Sequence, residues 1–221
     1  MTIPSFKNPN YFRWAMVHRS YLNESKEFGE SNERLEFLGD SVLQVLTSVY
    51  LYQRFPKYTE GQLTNLRSMV VRTVSLAGVA RELDLGKYLQ MSRGERDSGG
   101  QNNESLLADS IEAVIGALYL DSGLEAVDDF LKEILFPKID QILESNKIFD
   151  YKSLAQEIAQ KDFKQSPVYK ILQTSGPDHD RIFTVGLYLK EKLIAQGSGK
   201  SKQTAEQEAA KSTLEILTKK V

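Results

Sequence analysis

The chain has no cysteine among its 221 residues and only two histidines, His18 and His179. Without cysteine there can be neither a disulfide framework nor a thiolate-bound metal, and two imidazoles so far apart are too few for a typical zinc cluster. Any metal held here is bound through oxygen. Long apolar runs are missing as well: nothing approaches the roughly 18 consecutive apolar residues of a membrane-spanning helix. The opening stretch Met1–Phe6 has no basic region followed by an apolar run, so it does not read as a secretory leader. A cytoplasmic protein without membrane association is expected. A strong charge of either sign is also absent, with 28 Lys and Arg against 30 Asp and Glu.

That near-neutrality hides a division. Residues 1–149 hold 16 Lys and Arg against 21 Asp and Glu, a net of −5, while residues 150–221 hold 12 against 9, a net of +3. An acidic part and a basic part in one chain suit a division of labour in which one collects divalent cations and the other is drawn to phosphates. With 41% hydrophobic residues the chain can bury a core, and its length fits one large domain or two small ones.

From Tyr11 to about Leu143 nearly every segment has helical periodicity, with breaks at residues 24–31, 55–58 and 92–103. The last of these is the most polar stretch of the chain and reads as a mobile loop. Thr59 is placed to cap a helix, with Gln62 at the capping-box position. Residues 144–150 are short, polar and aperiodic, which suits a linker. Beyond them the period changes: a helix over residues 152–161, strands over 168–173, 181–189 and 192–197, a turn at Ser175–Asp180, and a closing helix over 202–218. The expected fold is therefore an all-helical domain over 1–143, a linker over 144–150, and a small α+β domain of order α-β-β-β-α over 151–221.

The most informative segment is Asn32–Asp40. At about 100° per residue, Glu33, Glu36 and Asp40 fall within an arc of about 60° on a helix whose other members include Leu35, Phe37, Leu38, Val42 and Leu43. A second acidic pair, Asp109 and Glu112, stands three apart on a strongly apolar helix. Carboxylates so close repel one another, and charge on an apolar helix is costly unless it is paired or binds a metal. Two such helices packed together would form an all-oxygen site suited to Mg²⁺ or Mn²⁺.

These residues resemble the ribonuclease III family, enzymes that cut double-stranded RNA. Asn32–Asp40 matches the family signature without a substitution and runs on into Ser41 and Leu43. The resemblance extends over Phe55-Pro56, Glu60–Leu63 and Arg67-Ser68, over the Asp109–Glu112 helix, and over the C-terminal region, whose Gly176–His179 turn and Gly197–Lys202 segment resemble a double-stranded RNA-binding domain. What it implies is a homodimeric, divalent-metal-dependent endoribonuclease that leaves 5′-phosphate and 3′-hydroxyl ends with a short 3′ overhang and processes ribosomal RNA precursors and messenger RNA. Relatives that have lost their acids persist as RNA-binding or ribosome-associated proteins, which is the alternative reading; here all the acids are present.

Glu36, Asp40, Asp109 and Glu112 are expected to be the direct metal ligands and the catalytic residues. A bound cation lowers the pKa of an attacking water and a second stabilises the departing 3′ oxygen. Glu33 and Glu60 match acidic positions of the family and are given secondary roles, for Glu60 equally that of a helix-start charge. Arg34 and Arg67 are expected as salt-bridge partners of the acidic helices, and His18 as a packing residue. Phe37 is expected to dock into a pocket on the second subunit. In the C-terminal domain the family pattern puts Ser153, Gln156, Glu157 and Gln160 along one minor groove of the duplex, His179 in the next, and Lys200 and Lys202 against the phosphates between. Lys200 and Lys202 also sit where a helix N-terminus offers free N–H groups.

Overall fold

The computed structural model describes residues 2–144, 151–177 and 180–218. The chain divides into two compact units, Met1–Ile148 and Phe149–Val221. The expected linker has residues 145–150 outside the described residues.

The first unit is built from α1 (Pro9–Ala15), α2 (Glu33–Arg54), α3 (Glu60–Val70), α4 (Thr73–Glu82), α5 (Arg93–Asp97), α6 (Glu104–Ser122), α7 (Leu124–Ile134) and α8 (Lys138–Glu144). Helix α6 is apolar nearly all round, with Leu107, Ile111, Val114, Ile115 and Leu118 all buried, so it occupies the centre. Helix α2 lays Leu35, Val42, Leu43, Leu46 and Leu51 against the same core. Each such side chain contributes about 1.5–3 kcal/mol by leaving water.

Where α2 crosses α6 there is no room for a side chain on either glycine. A Cβ on Gly39 would stand 1.8 Å from the backbone oxygen of Glu112, and one on Gly116 would stand 2.1 Å from that of Leu35. The two backbones touch, which carries the neighbouring acids of both helices to one place.

The start of α2 is fastened from the other side. Asn32 is 5% exposed. Its backbone N–H donates to the carbonyl of Val17 (2.8 Å) and its side-chain amide to that of Ala15 (3.0 Å). The indole N–H of Trp14 reaches the carbonyl of Ser31 at 3.1 Å. The Ala15–His18 segment is held in turn by Gln90, whose N–H donates to Met16 and whose carbonyl accepts from His18.

The expected capping box is present, Thr59 accepting from the Gln62 N–H and Gln62 from that of Thr59. The helical stretch has breaks that periodicity did not show, at Val71-Arg72 and over Leu83–Ser92. The polar stretch 92–103, expected as a mobile loop, instead contains α5 and a 3₁₀ turn over Gly100–Asn102. Long-range hydrogen bonds that no periodicity reports order it: the N–H of Ser92 donates to Ser20 Oγ (2.9 Å) and that of Arg93 to the Glu24 carboxylate (3.0 Å).

The second unit runs α9 (Tyr151–Phe163), β1 (Val168–Ser175), β2 (Ile182–Leu189), β3 (Lys192–Gly199) and α10 (Lys202–Thr218). The strands form an antiparallel sheet in the order β1-β2-β3. Lys190 and Glu191 close the β2–β3 hairpin with φ of 50° and 65°, the left-handed pair that matches strand twist. Ala155 and Ala159 of α9, Leu187 and Leu189 of β2, and Ala209, Ala210 and Leu214 of α10 form the core. The small residues let α10 lie close: a Cβ on Gly197 would meet the backbone nitrogen of Ala209 at 2.1 Å. The helix, three strands and helix are those expected, with β1 and β3 each extended by two residues.

Gly116→Ala should therefore lower the free energy of unfolding by roughly 1–3 kcal/mol, the usual cost of overpacking. Gly78→Ala in α4, where an added Cβ meets nothing within 4 Å, should raise it by up to about 1 kcal/mol through helix propensity. Urea titrations of both variants check the pair, and a neutral Gly116→Ala would show that the crossing tolerates a methyl group.

Candidate metal centre and duplex-binding surface

Gly39 lies three residues after Glu36 and one before Asp40, so the α2–α6 contact sets both acids beside Asp109 and Glu112. One carboxylate oxygen each from Glu36, Asp109 and Glu112 falls within 4.8 Å of the others. All three side chains are half-buried. Among the described residues, no hydrogen bond or ion pair reaches any of these three carboxylates. Burial without a partner disfavours the charged form. Burial is the first cause that pushes the Glu112 carboxyl up to about 8, with the charges of Asp40, Glu36 and Asp109 adding to it. Glu36 is raised by burial and then by Asp109, Glu33 and Asp40; Asp109 is raised by burial, with His18 acting the other way.

Asp40 stands one turn beyond Glu36 and outside the 4.8 Å group. Its Oδ1 accepts a hydrogen bond from Gln44 Nε2 at 3.3 Å. Glu33 also lies outside it: Ser31 Oγ donates to it at 2.7 Å, and Arg19 approaches its other oxygen at 3.8 Å. A cleft of about 230 Å³ lined by His18, Arg19, Asn32, Glu33, Glu36 and Asp109 opens onto the group. His18 shares a 2.8 Å hydrogen bond between Nδ1 and Ser20 Oγ.

Glu60 is the first residue of α3, accepts from Thr64 Oγ1 at 3.1 Å, and lines a separate, mainly apolar pocket of about 430 Å³ with Val49, Tyr52, Leu63 and Arg67. Arg34 pairs with Glu30 at 3.1 Å rather than with an acid of α2. Arg67 reaches α2 through a hydroxyl, donating to Ser48 Oγ at 2.7 Å. Both arginines were expected to pair with the acidic helices; with their guanidinium groups placed elsewhere, the space beside the grouped carboxylates is left to a cation. Phe37 is 77% exposed beside the acids.

Donors that are all oxygen, three of them close together, partly desolvated and short of positive charge, fit a hard divalent cation. They do not fit a structural charge cluster, which would be paired.

On the second unit Ser153, Gln156, Glu157 and Gln160 share one exposed face of α9, opposite the buried Ala155 and Ala159. Lys202 opens α10, where Ser201 Oγ caps the N–H of Thr204 at 3.1 Å. Lys200, also exposed, pairs with Asp180 at 3.0 Å. His179 lies outside the described residues.

Sequence comparison with known families matches residues 8–139 to a ribonuclease-III-like domain and residues 151–217 to the double-stranded RNA binding motif. The chain belongs to the ribonuclease III family. It is 47% identical over 215 residues to Ribonuclease 3 of Bacillus licheniformis, covering 97% of this chain and 86% of that protein. To Ribonuclease 3 of Protochlamydia amoebophila it is 45% identical over 210 residues, or 95% and 86% of the two chains. Among solved structures, the nuclease domain of the Campylobacter jejuni ribonuclease III, described with flexibility in a region involved in dimer formation, matches with TM-score 0.56 and 38% identity over 60% of this chain and 92% of that one. Dicer from Pichia stipitis matches over 97% of both chains with TM-score 0.52 and 25% identity. Family membership makes the protein an endoribonuclease specific for double-stranded RNA, with a helical nuclease domain followed by an α-β-β-β-α domain.

Three features of the site escaped the sequence reading: Gln44 on Asp40, Ser31 on Glu33, and the touching glycines. Only the glycines left a signal, as Gly39 and Gly116 within otherwise helical stretches.

Because Glu112 binds its proton more tightly in the folded chain than at its ordinary value of 4.5, the metal-free protein holds a proton that the unfolded chain has lost between about pH 4.5 and 8. Stability therefore falls as pH rises through that window. Glu112→Gln has no such titration. In the presence of a chelator its Tm should exceed that of the native chain at pH 8.5, and the gap should close towards pH 5. Calorimetry at the two pH values checks this, and a gap independent of pH would mean that Glu112 carries no raised pKa.

Proposed function

We propose that the protein is a divalent-metal-dependent endoribonuclease that hydrolyses both strands of RNA duplexes, with Glu36, Asp40, Asp109 and Glu112 holding Mg²⁺, for which Mn²⁺ substitutes. The carrying observation is the group of three half-buried carboxylates that no donor among the described residues satisfies. When bound, the cation supplies positive charge against an anionic phosphodiester and makes water more acidic, the two things this chemistry lacks. The acids of α2 and α6 hold the cation. Glu33, fixed by Ser31, adds charge at the mouth of the cleft. The products carry 5′-phosphate and 3′-hydroxyl ends with a short 3′ overhang, and the substrates are ribosomal RNA precursors and messenger RNA in the cytoplasm.

The catalytic and dimerisation part occupies residues 1–143, the linker 144–150, and the duplex-binding part 151–221. Helix α9 sets Ser153, Gln156, Glu157 and Gln160 against 2′-hydroxyls of one minor groove and His179 enters the next, while Lys200 and Lys202 meet phosphates. Glu157 serves there as a hydroxyl acceptor.

A homodimer is supported by α2, whose exposed face carries Phe37, Val45, Val49 and Tyr52. In a two-fold pair that crosses antiparallel near Val45, Phe37 of one chain meets the Tyr52 end of the other, because the interface repeats itself. That end borders the apolar pocket between α2 and α3. Seating the aromatic ring there brings Glu60 of the second chain towards the acids of the first, which gives Glu60 a secondary place in the site.

Incubating duplex RNA with the protein in Mg²⁺ and in chelator tests the reading, with cuts expected only in Mg²⁺. Glu112→Gln keeps the shape and removes an anionic ligand, so cleavage should fall by roughly 100-fold or more while a gel shift of the duplex persists. Near-normal cutting would remove Glu112 from the essential ligands. Lys202→Ala should flatten the slope of log K against log salt by about 1; an unchanged slope would take Lys202 out of the phosphate contacts.

A further inference from the structure

Among the described residues, Asp40 differs from the other three acids in having a hydrogen-bond partner. Its Oδ1 accepts from the side-chain amide of Gln44, one turn further along α2. A carboxylate only accepts hydrogen bonds, so the amide nitrogen must be the end of Gln44 that faces it. The turn of α2 that bears Gln44 is itself anchored. Ser48 Oγ donates to the Gln44 carbonyl at 2.6 Å, and Arg67 of α3 donates to the same hydroxyl at 2.7 Å.

We propose that Gln44 is a positioning residue for Asp40, holding one carboxylate oxygen so that the other is left, already oriented, for the divalent cation. This rests on the metal-site reading above. The terminal torsion of an aspartate is broad and roughly two-fold, so an unheld carboxylate must be ordered when the cation arrives. Beside Glu36, Asp109 and Glu112 it would also be turned by their repulsion. A hydrogen bond from outside the group counters both effects.

The residue type fits this task and few others. A lysine at this position would neutralise charge that the cation needs. A glutamate would add a further negative group and repel Asp40. A neutral donor with a side chain long enough to span one helical turn orients the carboxylate and leaves its charge unaltered.

The test is Mn²⁺ binding by the full-length chain, measured by titration calorimetry without RNA, for the native protein, Gln44→Met and Gln44→Asn. Methionine keeps the length and helix propensity without a donor; asparagine keeps the amide but shortens its reach. Both should bind Mn²⁺ about 10-fold more weakly, the low end of what removing a ligand's supporting hydrogen bond costs. The Tm of Gln44→Met in chelator should match the native value, and that of Gln44→Asn should fall only by the small loss of helix propensity. The duplex affinity of both in chelator should be native, and cleavage should be recovered at higher Mn²⁺ with kcat unchanged. Native Mn²⁺ affinity in either variant overturns the proposal, as does a loss of affinity in Gln44→Met matched by a fall in its Tm in chelator, which would mark a structural role. If the native chain itself binds no Mn²⁺, the metal-site reading fails first and this one with it.

Discussion

At the crossing of α2 and α6 two helix backbones meet with no side chain between them, and the rest of the first unit is arranged around that contact. Gly39 and Gly116 permit it: a Cβ on either would lie about 2 Å from a carbonyl oxygen of the other helix, 1.8 Å at Gly39 and 2.1 Å at Gly116. Ordinary helix pairs stand 8–10 Å apart, and carboxylates across a wider gap would each keep more water. Closeness draws oxygens of Glu36, Asp109 and Glu112 to within 4.8 Å. The resulting desolvation and repulsion oppose folding of the metal-free chain. Leu35, Leu43, Ile111 and Ile115, all buried within 2% exposure at the same contact, offset that cost at about 1.5–3 kcal/mol each.

What could be read from the sequence follows from this geometry. Helical periodicity put Glu36 and Asp40 on one face and gave Asp109 and Glu112 a common side, and charge on an apolar helix called for a cation. The three strands of the second unit were equally plain, because alternation in a strand is set by neighbours in the sequence. Side-chain direction was not legible. Asp40 shares a face with Glu36, yet its carboxylate is held by Gln44, and Glu33, within the same arc, is held by Ser31 instead of joining the group. Helix α5 was missed for a related reason: its first turn depends on Ser20 and Glu24, about 70 residues earlier, as donors' partners. Local pattern reports faces; it does not report which hydrogen bond a side chain chooses.

The same limit explains the arginines. Arg34 and Arg67 were expected as salt-bridge partners that fix the acidic helices. The structure spends Arg34 on Glu30 and Arg67 on a serine hydroxyl. Had either guanidinium entered the acidic group, it would have lowered the carboxyl pKa values and occupied the place of a cation. Burial first, and then the charges of Asp40, Glu36 and Asp109, raise Glu112 to about 8, and among the described residues no arginine pairs with it to offset them. The raised value is a sign that the group is incomplete as protein alone.

An acidic centre and an anionic substrate repel each other, so affinity for a duplex cannot come from the residues that act on it. The charge division answers this. Residues 150–221 carry a net of +3 against −5 before them, and screening confines each field to about 8 Å at physiological salt. In the proposed function the duplex meets Lys200 and Lys202 at the N-terminus of α10, where the local charge is positive, and a divalent cation offsets the repulsion between the acids and the phosphates. In the proposed function binding and cutting depend on different charges: salt governs the first through the lysines, and the divalent cation governs the second through the four carboxylates. A chain that joined both tasks in one patch would have to lose affinity for RNA in order to gain affinity for metal.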